Sequence, residues 1–177
     1  MKSRVIFVLC VLSLVSSAFA GVQEFSKGKL FLTPQFAYYS YAPNLGLSVE
    51  YAVTDNIGIG GSCMFAFWSD EFLDVKVSQS LITPSVDAYY HFTDIQAEKF
   101  DLFAGLSIGY SIFSWSWDIG DTTWSDAGSS GIYLSPVLGA RYYISKKLAL
   151  CLKSHYSALG SWTGIGGEFG LTFLLSK

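Results

Sequence analysis

The sequence predicts an all-β protein, an eight-stranded antiparallel up-and-down transmembrane β-barrel, and three observations predict it. Eight stretches alternate between apolar and small or polar residues with a period of two. The apolar faces of those stretches hold no Asp, Glu, Lys or Arg in a chain that is 14% charged. And although 51% of the residues are hydrophobic, no stretch after the first few residues is continuously apolar for the roughly 20 residues a membrane helix needs.

The chain opens with Lys2 and Arg4, runs apolar from Val5 to Val15 and reaches Ala18-Phe19-Ala20 before Gly21. That order of a basic start, a short apolar core and a small-residue end is a secretory signal peptide over residues 1–20, leaving residues 21–177 as one barrel domain. The apolar run is too short for a membrane anchor, and Cys10 lies inside it, where no lipid would be attached. Cleavage removes Lys2 and Arg4 from the 11 basic residues and none of the 14 acids, so the remaining chain carries about −5. With no basic patch, nucleic acid is excluded as a partner.

The strands follow in order. Leu30, Leu32, Pro34, Phe36 and Tyr38 give a first, less regular apolar face, and Leu45, Leu47, Val49, Tyr51 and Val53 a second. Thr54-Asp55-Asn56 is a tight turn into a third run with Ile57, Ile59, Gly61, Cys63, Phe65 and Phe67 on one side. The fourth presents Ile82, Pro84, Val86, Ala88, Tyr90 and Phe92, and the fifth Leu102, Ala104, Leu106, Ile108, Tyr110 and Ile112. Ile132, Leu134, Pro136, Leu138, Ala140, Tyr142 and Ile144 form the sixth. Leu148, Leu150, Leu152, Ser154 and Tyr156 form the seventh, and Ile165, Gly167, Phe169, Leu171, Phe173 and Leu175 the last.

The opposite faces are rich in Gly, Ser and Ala, with Lys29, Glu50, Asp87, Asp101, Arg141, Lys153, Glu168, His91 and His155 thinly spaced among them. A water-exposed face would be dense in Lys and Glu, whereas small side chains suit the narrow inside of an eight-stranded barrel. Apolar outside and polar inside is the membrane arrangement. The links at 54–56 and 145–147 are tight, as periplasmic turns are, while 69–80 and 114–130 read as long external loops. The link at 93–100 is longer than that pattern asks, and the loops near Pro43 and Gly160 are shorter.

Inside so narrow a barrel Arg141 and Lys153 must meet carboxylates or keep water, and Glu50, Asp87 and Glu168 are the available partners. That predicts a lumen charge network of Glu50, Asp87, Arg141, Lys153 and Glu168, acting as a plug or, alternatively, as the lining of a narrow small-solute channel. All five tryptophans, Trp68, Trp115, Trp117, Trp124 and Trp162, fall toward the side read as external. They are expected as an interfacial aromatic girdle, foremost Trp68 and Trp115, or, for the three deeper in the loops, as a ligand or adhesion surface. Loop acids Asp70, Glu71, Asp74, Asp118, Asp121 and Asp126 keep the loops soluble or gather divalent cations beside lipopolysaccharide phosphates. No Cys/His metal spacing and no Gly-rich phosphate loop is present, so neither metal nor cofactor is expected. Cys63 and Cys151 fall on distant strands and opposite faces, so no disulfide is expected.

Several segments resemble the small outer-membrane β-barrel superfamily of the outer-membrane protein A and X type. Residues 82–92 (ITPSVDAYYHF), 100–110 (FDLFAGLSIGY) and 135–147 (SPVLGARYYISKK) carry the resemblance, which extends over essentially the whole of 21–177. It implies the bacterial outer membrane, contact with outer-membrane lipids and lipopolysaccharide, handling by the barrel-assembly machinery, and a monomer. Many members end on an aromatic residue; here Phe173 is followed by Leu174-Leu175-Ser176-Lys177. The pair His155-x-Ser157 is also similar to the catalytic strand of outer-membrane lipid A deacylases, which use His, Ser and a later Glu, here Glu168. Ala158 stands where those enzymes carry Asn, and alternation turns His155 and Ser157 inward, away from lipid. The reading is therefore a non-enzymatic barrel working through its external loops, with a lipid A deacylase or a narrow channel as the alternatives.

Overall fold

In a computed structural model, residues 25–39, 42–72, 75–95, 99–119, 122–128, 130–158 and 164–175 are described. The expected signal peptide, Asp74, Asp121, Gly160 and Trp162 lie outside them. The described residues form nine strands: β1 (Leu30–Tyr39), β2 (Ala42–Ala52), β3 (Ile57–Phe72), β4 (Val75–His91), β5 (Phe100–Ile119), β6 (Thr122–Ala127), β7 (Gly131–Ser145), β8 (Leu148–Ser157) and β9 (Gly164–Leu174). A single turn of 3-10 helix, Thr93–Ile95, fills the longer link before β5.

Eight of the nine close the barrel. Each pairs antiparallel with its neighbour, β5 passes directly to β7, and β1 pairs with β9 to complete the ring. Closure follows from the solvent the outward faces require. In hydrocarbon an unpaired backbone N–H or C=O costs several kcal/mol, and only a sheet without edges avoids it.

The outward faces are those the alternation predicts. Leu45, Phe67, Val86, Ile108, Ile132, Leu138, Leu152 and Ile165 are each exposed. On β4 the outward apolar residues run from Ile82 to Tyr90, close to the 9–11 residues that a tilted strand needs to cross a bilayer. Outward rings collect toward the turn end (Tyr51, Tyr90, Phe100, Phe173) and the other end (Tyr38, Phe67, Tyr110, Tyr156). The belt is thus built from Tyr and Phe, residues that sequence reading passed over in favour of tryptophan.

The stretches 69–80 and 114–130, expected as loops, are instead largely strand. β3, β4 and β5 continue beyond the apolar belt, and β6 pairs back onto β5 alone. Their serines, valines and tryptophans still alternate, so the ladder continues after the outward face has turned polar. Pro43 likewise lies within β2, opposite Tyr38, not in a loop. Cys63 and Cys151 are free thiols.

The small inward residues leave room for large neighbours. A Cβ on Gly139 would sit 2.3 Å from the ring of Phe103, and one on Gly109 2.5 Å from the ring of Tyr133. Phe103 is fully buried and has nowhere to retreat. Gly139→Ala is therefore expected to cost about 1–3 kcal/mol, read as a lower denaturation midpoint of the refolded protein.

Candidate functional site

The lumen is stacked in layers. At the turn end, Phe25, Phe31, Ala52, Tyr143, Ala149 and Leu174 form a buried apolar floor. Phe25 reaches it because Gly28 adopts a positive φ of 86°, open to glycine, and donates its N–H to Ala52 O at 2.8 Å. The Phe25 ring then stacks on Phe31 at 5.5 Å and on His91 at 3.5 Å. The segment before β1 thus corks the barrel, a role nothing in its composition signals.

Above the floor lies a closed ring of four ionisable groups from four strands. Glu50 gives one carboxylate oxygen to His91 Nε2 at 2.7 Å and the other to Arg141. Asp101 does the same, with His91 Nδ1 at 2.7 Å and Arg141 Nη1 at 3.3 Å. The guanidinium is sandwiched between the rings of Phe31 and Phe103, at 4.8 and 5.1 Å. All four residues are buried. Each nitrogen of the imidazole thus faces a carboxylate oxygen, Nε2 that of Glu50 and Nδ1 that of Asp101.

A second apolar layer of Tyr89, Phe103, Val137 and Cys151 separates this ring from an upper cluster. There Glu168 lies 3.0 Å from Lys153 Nζ and 3.2 Å from His155 Nδ1. Lys153 also donates to Gln35 Oε1 at 3.1 Å, which accepts a further hydrogen bond from Ser48 Oγ at 3.3 Å. Beyond it is a cavity of about 50 Å³ bordered by Ser62, Ser107, Tyr133 and Ser135. That is room for a few waters, far below the roughly 150 Å³ that holds a benzene.

Two features differ from the expected charge network. Asp87 is buried but enters no ion pair among the described residues; it accepts from Ser85 Oγ at 2.8 Å, which in turn contacts Ser62 Oγ at 2.6 Å. Strand register is the reason: Asp101 is the direct cross-strand neighbour of Arg141, and Glu168 that of Lys153. Of the three expected partners, Glu50 reaches Arg141 and Glu168 reaches Lys153, while Asp101 joins Arg141 and His91 bridges the two carboxylates.

His155 and Ser157 both turn into the barrel, and Ser157 is completely buried. The register shift between β7 and β8 lies at Tyr143/Ser145, beside the turn, and does not disturb the alternation up β8. A lipid-facing triad of His155, Ser157 and Glu168 is absent.

The tryptophans divide by register. Trp68 shares the inward parity of Met64 and Ala66, with its ring 6.0 Å from Phe113, so it sits at the mouth and not among the outward residues of a girdle. Trp115 also lies on the inner side, while Trp117 and Trp124 pair across β5 and β6 beyond the belt, 43% and 67% exposed. The acids do not converge: Asp70 and Asp126 lie on the inner face of the extension and Glu71 and Asp118 on the other. No group of three or more His, Cys, Asp or Glu able to hold a metal occurs among the described residues.

This architecture is a closed, eight-stranded, up-and-down antiparallel β-barrel. No family model and no curated protein matches the sequence, but solved structures share the fold. The N-terminal β-barrel domain of OprF from Pseudomonas aeruginosa aligns at a TM-score of 0.57 and 14% identity, over 84% of this chain and 98% of that one. Ail, the attachment invasion locus protein of Yersinia pestis, aligns at 0.53 and 12% identity, again over 84% and 98%. A de novo designed transmembrane β-barrel aligns at 0.55 and 14% identity over 86% of this chain and all of that one. That a designed chain shares the fold underlines that the fold carries no particular activity.

Proposed function

We propose that this is a non-enzymatic protein of the bacterial outer membrane, with a plugged lumen, that acts through the sheet projecting beyond its membrane belt. The carrying observation is that seven ionisable groups of the lumen engage one another, in the ring of Glu50, His91, Asp101 and Arg141 and in the cluster of Lys153, His155 and Glu168, while Asp87 is held by Ser85. They leave no wide path for a solute, and the serine is buried where a membrane lipid has no access. The likeness to Ail, named for attachment, supports a surface-contact role.

An epitope inserted between Phe72 and Val75 tests the reading, with detection on intact cells as the expected result. An epitope reached only after the envelope is opened would contradict it. Deleting the gene, or making Ser157→Ala, is expected to leave the acyl-chain pattern of lipid A unchanged by mass spectrometry. Gain of an acyl chain in either strain would replace this proposal with the deacylase.

A further inference from the structure

The projecting sheet has two unlike faces. Register places Trp68, Gln79, Trp115 and Asp126 in one row across β3, β4, β5 and β6, and Asp70, Val77, Trp117 and Trp124 in the next. All eight lie on the side continuous with the lumen. The reverse side carries the row Ser69, Ser78, Ser116 and Ser125. Four of the five tryptophans of the chain thus share one small face that the membrane belt does not use. Trp117 and Trp124 are exposed and Trp68 and Trp115 half-buried beside them, and aromatic area this concentrated outside the belt marks an interaction site.

From this face we infer a docking site for a basic polypeptide segment, a step that rests on the proposed action through the external sheet. Charge complementarity selects the occupant. The only ionisable groups in the two rows are Asp70 and Asp126, both exposed, and neither enters an ion pair with the described residues. Asp126 lies opposite Trp115 and two residues from Trp124, while the rings of Trp115 and Trp117 are 5.3 Å apart. Indole faces beside a carboxylate attract a guanidinium or ammonium group by cation–π and ionic terms together, and repel sulfated glycans and nucleic acid. Three strand spacings of about 4.8 Å and an offset of two residues, about 6.6 Å, along the strands separate Asp70 from Asp126, which stand roughly 16 Å apart. A small cation meets one of them; an extended peptide advancing about 3.3 Å per residue meets both with basic side chains four residues apart.

The test uses the refolded mature chain in nonionic detergent and follows its tryptophan fluorescence. The probes are a peptide with two arginines four residues apart, the same peptide with glutamates, an uncharged oligosaccharide and a heparin oligosaccharide. Saturable binding of the arginine peptide, weakened by salt, is the expected result. Trp117→Ala with Trp124→Ala lowers its affinity about tenfold, Asp70→Asn with Asp126→Asn lowers it and flattens the salt dependence, and Ser116→Ala on the reverse face does not change it. No saturable binding, or oligosaccharide binding indifferent to the two aspartates, would overturn the inference. The epitope experiment fails or succeeds separately: a purified protein that binds the arginine peptide while its tag stays hidden on cells would sink the location and keep the site.

Discussion

Replacing Arg141 with methionine is expected to lower the stability of the refolded barrel by about 3–5 kcal/mol, the cost of breaking a buried ion pair from one side. The substitution keeps most of the apolar stem between Phe31 and Phe103 but leaves Glu50 and Asp101 joined only through His91. Two carboxylates then share one imidazole in a layer closed below by Phe25 and above by Tyr89 and Phe103. Denaturant titration in lipid vesicles checks the value. Adding Glu50→Gln to Arg141→Met should recover part of the loss, because it removes a carboxylate that has lost its guanidinium. A single substitution with a wild-type midpoint would mean that water reaches the ring and that the lumen is open.

Leu138→Arg is the second large effect, expected to cost about 2–4 kcal/mol, the penalty for a cation facing lipid near the midplane. Leu138 is 64% exposed on β7, with Ala104 and Ser154 beside it on the neighbouring strands. Ile132→Arg, on the same face of the same strand but toward the projecting end, should cost only about 0–1 kcal/mol. The depth gradient is the readout. An outward face that met water would tolerate both substitutions equally.

Which residues face outward was legible because one period repeats through eight strands, and each outward position has a neighbour that supports the same assignment. The contacts across the lumen were not. Glu50 and Arg141 are 91 residues apart, and whether they meet depends on the stagger of the closed sheet, which alternation leaves undetermined. For that reason Glu50 and Glu168 could be named as partners while Asp101 and His91, on the same inward faces, went unassigned and Asp87 took their place. The external sheet was hidden by composition. Serine-rich stretches around Trp68, Trp115 and Trp124 read as loops, and only the pairing of β3 to β6 shows that four indoles share a face. Phe25 was invisible for another reason: its role depends on a single turn at Gly28, before any periodic segment begins.

Conductance across a planar bilayer separates a closed barrel whose charged interior is filled by its own side chains from an open pore. Wild-type protein inserted at neutral pH is predicted to give no steady channels above the leak of the bare membrane. Long-lived, uniform open channels from the wild type would contradict the plugged lumen and leave the channel reading in its place.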